Sequence, residues 1–244
     1  MGMHTDKRIW QYFKTHYAEW FPGLGSRSAF VRQCANLLPV KQWLLSEIFA
    51  HTRQDILHMQ DGVPIPVMRY ARARRDRCFR GDAAFGYCAS KDEKYYGFLG
   101  HVGIDSEGNL SAFLLTPANG SEREALREVA PGMTGLMLAD KGFISEPLKA
   151  ELAQMGLDLQ TPLRDNMHDS RNPAFVQWIL STRRLIETVI GQLTERFKIN
   201  DIKVKDFWHL KARIARKLLA HALASILAKS LGLRPTQLDA LITL

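Results

Sequence analysis

Two segments in the middle of the chain, residues 95–105 (YYGFLGHVGID) and residues 110–116 (LSAFLLT), decide the fold class. Both are rich in aromatic and aliphatic residues, a composition typical of β-strands. The four residues between them, SEGN at 106–109, contain a glycine and small polar residues that favour a tight turn. The pattern therefore predicts a β-hairpin.

A helix and a buried strand are predicted directly after this hairpin. Ser121 opens the segment 121–129 (SEREALREV), and Glu124 follows three residues later, which is the spacing of a helix-capping box. Residues 135–139 (GLMLA) form a short, mostly apolar run, typical of a strand with both faces covered. A second helix over 146–155 and a further strand over 157–162 continue the alternation, which is typical of an α/β protein.

Outside this core, the patterns become helical at both ends of the chain. Residues 7–57 have helical periodicity with one break at 21–25 (FPGLG), and the chain from residue 175 onward is mostly helical. Residues 63–67 (VPIPV) alternate like a strand, and their two prolines predict an edge strand or a strand end. The sequence thus predicts an α/β core with helical flanks.

Composition excludes several classes of protein. The chain has 244 residues, of which 46% are hydrophobic and 24% charged, as in a folded globular protein of one large or two small domains. Its longest apolar stretch, residues 218–227, is interrupted by His221 and is too short to span a membrane. Cys34, Cys78 and Cys88 form an odd set without a CxxC pair, which argues against a zinc ribbon and predicts a reducing, cytoplasmic location.

The net charge of +8 is concentrated in two segments. Residues 69–80 (RYARARRDRCFR) hold six arginines and one aspartate, and residues 183–217 hold ten basic and four acidic residues. The rest of the chain is net negative, so the positive charge is not spread for solubility. Such segments predict contact with a polyanion, first of all a nucleic acid. The alternative is that both are ordinary solvated faces.

Three acidic residues stand out as candidates for chemistry. Asp61 and Asp140 each follow a predicted strand segment, where a side chain emerges at the sheet edge, although Asp61-Gly62 is also a common turn sequence. Glu187 borders an apolar helical stripe one turn after Arg183. An Arg–Glu pair on a helix surface explains that spacing equally well from the residues alone.

Five motifs, taken in order, resemble the DDE transposases encoded by bacterial insertion sequences. The resemblance extends from about residue 9 to residue 227. The motifs are DGVPIPV from Asp61, GDAAFGYCASKDEKYYGF over 81–98, LTPAN over 115–119, ADKGF over 139–143 and RRLIETVIGQLTERF over 183–197. The chain begins where a typical member is already under way, so the resemblance also predicts a copy truncated at its amino end.

This resemblance implies a fold and a domain plan. The fold is a ribonuclease H-like mixed five-stranded sheet with flanking helices. The implied domain plan has three parts. A helical segment over 1–54 is retained from a DNA-binding region, a DDE catalytic domain covers 55–232, and a carboxyl-terminal tail covers 233–244.

The resemblance also implies an active site and a reaction. Asp61, Asp140 and Glu187 would form the catalytic triad and hold two Mg²⁺ ions, for which Mn²⁺ can substitute. Carboxylate oxygens suit these hard cations, and two ions can activate the attacking oxygen and stabilise the leaving oxygen of a phosphodiester. The expected activity is DNA strand cleavage followed by strand transfer at the same site. The alternatives are an inactive DNA-binding remnant and a metal-dependent nuclease.

The implied partner is double-stranded DNA, both the inverted repeats at the element's ends and the target, bound by a homo-oligomer associated with the nucleoid. Arg183 matches the arginine that related transposases place before the catalytic glutamate, whereas Leu180 and Thr194 replace a tyrosine and a lysine of the same motif. The predicted DNA-binding residues are Arg72, Arg74, Arg75, Lys141, Arg183, Arg184, Arg196 and Lys198. For Lys141, a solvated surface lysine is the open alternative.

Aromatic residues are the remaining candidates for contact with DNA. Exposed rings can stack on unpaired bases, but aromatic residues are equally at home in a hydrophobic core. The residues concerned are Tyr95, Tyr96, Phe98, Trp178, Phe207 and Trp208.

Overall fold

The computed structural model describes residue 3 and residues 5–75, 77–89 and 92–242. Its amino-terminal part is helical, with α1 at Asp6–His16, α2 at Arg27–Asn36 and α3 at Leu38–Thr52. The side chains of Thr5 and Ser26 cap α1 and α2, because each accepts a hydrogen bond from a backbone N–H in the first turn of its helix. The predicted break at 21–25 lies between α1 and α2, so this part of the prediction is confirmed. Residues 1, 2 and 4 of the predicted amino-terminal segment lie outside the described residues.

Among the described residues, six strands form one mixed sheet. They are β1 at Leu57–Met68, β2 at Ala84–Cys88, β3 at Glu93–Asp105, β4 at Leu110–Pro117, β5 at Gly135–Leu138 and β6 at Leu157–Gln160. β1 pairs with β3 antiparallel and with β5 parallel, β4 pairs antiparallel with β3, and β6 pairs parallel with β5. The order β4-β3-β1-β5-β6 gives the ribonuclease H-like mixed sheet that the resemblance implied.

The sixth strand, β2, was not expected from the sequence. It pairs with the first part of β3, from Glu93 to Gly97, and β4 pairs with β3 from Phe98 onward. β2 and β4 therefore lie side by side along the same edge of β3, and β2 is the sixth strand of the sheet. Alternate side chains of β2, Phe85 and Tyr87, are exposed, so its pattern lacks the apolar run that marks a buried strand.

The expectation that Val63–Val67 form an edge strand or a strand end is confirmed for the strand end, because these residues are the last part of β1, which ends at Met68. β5 pairs only with Leu57, His58 and Met59, so the same edge of β1 carries no strand partner farther along. Residues two apart direct their backbone nitrogens to the same edge, and Pro64 and Pro66 both stand opposite β3 residues. A central strand tolerates these prolines because the donors that they lack belong to the unpaired edge.

Helices cover both faces of the sheet. α4 at Glu122–Val129 and α5 at Glu146–Gln154 pack on one face with a buried cluster that includes Met137 and Phe143. α6 at Pro173–Gly191 and α7 at Phe207–Ser230 share the larger cluster with β1, β3 and the amino-terminal helices. Together these contacts hold α6 against β1, where the candidate site lies.

The carboxyl-terminal region is less continuous than the sequence pattern predicted. α6 continues into one π-helical turn at Gln192–Arg196, and residues 197–206 are not helical. Lys198 has a positive φ of 53°, a conformation that ends a helix. Asp206 then caps the start of α7. No helix in the described part of the chain is long and apolar enough to cross a membrane.

Candidate active site

The parallel register of β1 and β5 brings Asp61 and Asp140 together. Met59 stands opposite Leu138, and each aspartate lies two residues farther along its own chain segment. Parallel neighbours advance together, so the two carboxylates emerge at the same point of the sheet. The backbone N–H of Gly62 donates a hydrogen bond of 2.7 Å to Asp61 Oδ1.

Asp140 follows β5 and precedes the short 3₁₀ turn Lys141–Phe143. Its side chain is 52% exposed, compared with 27% for Asp61, so one carboxylate faces solvent while the other is largely covered. Lys141 is exposed, and its Nζ lies 3.2 Å from Asp165 Oδ1. Lys141 thus lies beside the site, and Asp165 in a neighbouring loop partly balances its charge.

Arg183 connects α6 to both aspartates. Its Nη2 lies 3.8 Å from Asp61 Oδ2, and its Nη1 lies 3.5 Å from Asp140 Oδ1. The side chain is only 11% exposed, and its Nε is buried without a hydrogen-bond partner among the described residues. The guanidinium group therefore occupies the position between the two carboxylates.

Glu187 lies one turn after Arg183 on α6 and is exposed. Burial is the main cause that raises the pKa of Asp61, and the negative charges of Asp140 and Glu187 raise it further. The charge of Glu187 therefore acts on Asp61. The Gly62 N–H and Arg183 act in the opposite direction without cancelling the rise. The structure thus places both Asp140 and Glu187 within electrostatic reach of Asp61.

The donor set fits a hard divalent cation in its chemistry, since it consists of carboxylate oxygens. In this conformation, no three His, Cys, Asp or Glu side chains of the described residues are arranged so that they could hold a metal ion. Arg183 supplies the positive charge between Asp61 and Asp140 instead. The buried Nε that lacks a partner shows that this guanidinium is not satisfied in its present place.

A fourth carboxylate, that of Glu122, lies beside the site and was missed by the sequence reasoning. Burial and the negative charges of Asp61 and Asp140 raise the pKa of Glu122. Glu122 is the first residue of α4, where an acidic side chain normally indicates only a favourable helix-dipole contact. The sequence placed Glu122 only at the start of the predicted helix that follows the hairpin.

The three predicted arginines of the first basic segment, Arg72, Arg74 and Arg75, lie on a 3₁₀ helix at Tyr70–Arg75 and are exposed. This helix follows β1, whose last residue is Met68. At ~3.3 Å per strand residue, the arginines begin roughly 23 Å or more from Asp61 along the strand. The exposed rings of Tyr70 and Phe85 stand edge to face beside them, with centroids 5.5 Å apart.

The other predicted DNA-binding residues lie in different environments. Arg184 is exposed on α6, and Lys198 is partly exposed at the turn after the π-helical segment. Arg196 forms an ion pair with Asp239 and lies close enough to His221 to lower the pKa of that histidine. Arg196 is thus held against the carboxyl-terminal segment, whereas Arg183 lies between Asp61 and Asp140.

Most of the aromatic candidates belong to the core. Tyr95, Tyr96 and Phe98 are buried, and Phe207 packs against the larger cluster. Trp178 and Trp208 are 39% and 46% exposed. None of the three cysteines, all of them among the described residues, forms a disulfide.

A mixed sheet of this strand order, with carboxylates from its central strand, from the end of β5 and from a later helix, defines a ribonuclease H-like protein. The chain belongs to the transposase DDE domain family, whose model matches residues 51–206. The matched region contains Asp61, Asp140 and Glu187 as well as the first basic segment. Membership of this family implies the use of divalent metal ions. The predicted origin in a bacterial insertion sequence stays a prediction.

Among solved structures, the chain is similar to the piggyBac transposase in a cryo-EM structure of its synaptic complex with hairpin DNA. The TM-score is 0.45 and the sequence identity 11%, and the similarity covers 75% of this chain. The similarity covers 50% of that transposase, so the chain spans about half of its length. No curated protein matches the sequence.

Proposed function

We propose that the protein is a transposase that cleaves DNA strands and joins their ends to target DNA, with Asp61, Asp140 and Glu187 as its metal-binding catalytic triad. The observation that supports this proposal most directly is that Arg183 of α6 contacts both Asp61 and Asp140, with Glu187 one turn farther along the same helix, in a chain of the transposase DDE domain family. We propose Mg²⁺ as the natural cofactor, with Mn²⁺ as a substitute.

The residues of the site have distinct roles in this proposal. Two bound ions would activate the attacking oxygen and stabilise the leaving oxygen of the phosphodiester. Asp61 is fixed by the strand and by the Gly62 N–H, so it provides a rigid ligand at the covered side of the site. Asp140 and Glu187 are more exposed and would complete the donor set from the open side, where DNA approaches. Arg183 lies within reach of a phosphate bound between these carboxylates.

The exposed basic residues provide the proposed surface for double-stranded DNA. Duplex DNA rises 3.4 Å per base pair, so the roughly 23 Å between Asp61 and the end of β1 corresponds to about seven base pairs. Arg72, Arg74 and Arg75 would contact the backbone at that distance, and Lys141, Arg184 and Lys198 closer to the site. We also propose that the protein acts as a homo-oligomer that holds two DNA ends. It would do so in the cytoplasm, associated with the nucleoid.

Strand cleavage by purified variants tests this function. A supercoiled plasmid that carries the reading frame with its flanking DNA serves as substrate, with Mg²⁺ present. Asp61→Asn, Asp140→Asn and Glu187→Gln should each lower the cleavage rate about 10³-fold or more, equivalent to roughly 4 kcal/mol of barrier. Binding of the same DNA should change less than about twofold, because the substitutions remove metal ligands and not phosphate contacts.

The matched control is Asp158→Asn, since Asp158 is an exposed aspartate of β6 whose carboxylate accepts hydrogen bonds from Gln160. This variant should cleave at the wild-type rate. Retention of full cleavage by any of the three triad variants would remove that residue from the proposed site.

A second candidate function, that of a DNA-binding protein without cleavage activity, is favoured by one observation. The Arg183 guanidinium lies between Asp61 and Asp140, where its charge replaces that of a cation. If this ion pairing persists with DNA bound, wild-type protein will bind DNA but show no cleavage with Mg²⁺ or Mn²⁺. Cleavage without joining in the same assay would instead indicate a nuclease.

A further inference from the structure

We propose that an exposed aromatic face at one end of the sheet binds the unpaired bases of single-stranded DNA. Three rings form this aromatic face: Tyr70 of the 3₁₀ helix after β1, and Phe85 and Tyr87 of β2. The inference rests on the proposed function, because both assign DNA as the ligand. It adds a site for a DNA segment whose two strands have separated.

The three rings of the aromatic face are open to solvent. Tyr70 is 47% exposed, Phe85 45% and Tyr87 57%. Residues two apart on a strand point to the same side, so Phe85 and Tyr87 lie on one face of β2, about 7 Å apart. Grouped apolar side chains on a surface indicate a contact site, and rings on the surface of a sheet are suited to stack on unpaired bases.

The core of the protein holds the aromatic face in place. Phe85 stands opposite Tyr96 of β3, and the centroids of the two rings are 5.0 Å apart. Tyr96 is buried, and its hydroxyl donates a hydrogen bond of 3.3 Å to the carbonyl oxygen of Phe79. Tyr70 in turn stands edge to face with Phe85. Because the rings are positioned before any ligand arrives, a base that stacks on them immobilises few side chains.

Positive charge surrounds the aromatic face. Tyr70 lies within the first basic segment, and Lys94 of β3 stands opposite Tyr87 and is exposed. The arginines of that segment are exposed as well: Arg69, Arg72, Arg74, Arg75, Arg77 and Arg80. A single DNA strand presents phosphates and bases side by side, so it matches a surface on which cations flank rings. A duplex would contact only the cations, because its bases are paired and stacked inside.

The aromatic face lies on the same side of the sheet as Asp61. Asp61 stands opposite Val102 of β3. Phe85 stands opposite Tyr96, six residues earlier on the same strand. An even separation places the side chains of Asp61 and Phe85 on one face, about 20 Å apart along the strands. At roughly 3.4 Å between phosphates, a strand that leaves the proposed active site would reach the aromatic face after about six nucleotides.

Fluorescence anisotropy with three labelled probes of equal length tests the proposal. The probes are an oligothymidylate, a strand of abasic sugar–phosphate units and a duplex. Wild-type protein should bind the oligothymidylate about tenfold or more tightly than the abasic strand, because the two carry the same phosphates and only the first offers bases for stacking. Equal affinity for these two strands would overturn the proposal, whatever the variants show.

Substitutions within the aromatic face identify the rings that bind. Phe85→Leu and Tyr87→Leu each remove a ring and no charge, so each should weaken oligothymidylate binding about tenfold and change duplex binding less than about twofold. Tyr87→Phe loses only the hydrogen bond of 2.6 Å that the hydroxyl donates to Asp92 Oδ1, and it should bind as wild type does. Retained duplex binding shows that a variant is folded.

The matched control is Trp43→Leu. Trp43 is a ring of α3 that is 60% exposed and lies outside both the aromatic face and the two basic segments. This variant should bind all three probes as wild type does. If Trp43→Leu and Phe85→Leu weaken oligothymidylate binding equally, the effect is not specific to the aromatic face and the proposal is wrong.

The outcomes distinguish this inference from the proposed function. If wild-type protein prefers the oligothymidylate to the abasic strand but does not cleave DNA, the aromatic face stands and the transposase function fails. If cleavage depends on Asp61, Asp140 and Glu187 but Phe85→Leu and Tyr87→Leu bind the oligothymidylate as wild type does, the function stands and the aromatic face is not a DNA site.

Discussion

The two basic segments look alike in sequence but differ in what their charges contact. In the first, at residues 69–80, the arginines are exposed, and no described carboxylate pairs with them. In the second, at residues 183–217, basic side chains contact acidic or carbonyl groups of the same chain: Arg183 with Asp61 and Asp140, Arg196 with Asp239, Arg213 and Arg216 with Asp6, and Lys217 with the carbonyl of Phe197.

This difference teaches that a local count of charges does not measure the charge available to a ligand. A guanidinium group already paired within the protein must exchange one partner for another before it contacts a phosphate. We therefore expect the first segment to supply more of the affinity for DNA, and the second to supply more of the stability of the fold.

The largest expected effect tests the structural role of the second segment. Asp6 is buried and contacts Arg213 and Arg216 on α7. Asp6→Asn should lower the free energy of unfolding by about 3 kcal/mol, because it leaves two arginines without their shared partner. Urea denaturation at pH 7 measures this change. Asp201→Asn is the control, since this exposed aspartate lies 4.0 Å from Lys203 and should cost less than about 1 kcal/mol.

The pH dependence of the same contact has a defined sign. Burial opposes ionisation of Asp6, but Arg216 and Arg213 outweigh it and hold the pKa of that carboxyl below its usual value. A carboxyl group with a lowered pKa stabilises the fold above its unfolded pKa and loses that contribution as the pH falls through its folded pKa. Asp6→Asn should therefore be less sensitive to acid than wild type below about pH 4. Equal sensitivity in the two proteins would contradict the ion-pair assignment.

The next effect concerns His221, a buried residue of α7 beside Arg196. Burial, assisted by Arg196, lowers the pKa of His221 to about 4. The unfolded chain binds a proton at this histidine near pH 6.5, whereas the folded chain binds it only near pH 4. The free energy of unfolding therefore falls by about 3 kcal/mol as the pH drops from above 6.5 to 4. Denaturation of wild type at pH 7 and pH 5 should show part of this loss. His221→Gln should reduce the difference between the two pH values, and an unchanged difference would assign the acid sensitivity to other groups.

DNA affinity tests the first segment directly. The triple variant Arg72→Ala, Arg74→Ala, Arg75→Ala should bind duplex DNA about tenfold or more weakly at physiological salt, and the slope of log affinity against log salt should fall by about 3. Its free energy of unfolding should change by less than about 1 kcal/mol, because these side chains are exposed. An unchanged slope would mean that this segment faces solvent in the DNA complex, and the comparison between the segments would fail.

The smallest expected effect comes from Arg196, a surface-paired residue of the second segment. Arg196→Ala should lower DNA affinity by less than any single arginine of the first segment, because its guanidinium is engaged with Asp239. It should also cost less than about 1 kcal/mol in unfolding free energy, as is typical of a pair that is partly exposed. A loss of DNA affinity equal to that of Arg72→Ala would show that internal pairing does not reduce a charge's contribution to binding.

The sequence predicted the parts of the fold that depend on local patterns. The hairpin at 95–116, the capped helix after Ser121 and the short apolar strand at 135–139 are confirmed, because turn residues, capping side chains and apolar runs act over a few neighbours. β2 was missed, and the central position of β1 between β3 and β5 was not predicted. Both errors concern pairing between distant segments, which local patterns do not contain.

The candidate site divides in the same way. The resemblance of ordered motifs selected Asp61, Asp140 and Glu187, and their shared role stays a prediction; in the structure, the charges of Asp140 and Glu187 both raise the pKa of Asp61. Glu122 had no comparable motif signal, because a glutamate at a helix start is ordinary. Its position beside the site follows from the proximity of α4 to Gly62 and Gly142, two positions that lie 60 and 20 residues away in the sequence.

The sequence by itself determined the alternation of strands and helices, the family and the supply of charged residues, since these depend on composition and on short-range order. The tertiary structure alone decided which charges are paired within the protein, which face solvent, and which carboxylates share one edge of the sheet. The physical reason is that ion pairing and desolvation depend on distances between atoms, and residues far apart in the chain reach those distances only when the sheet and its helices pack.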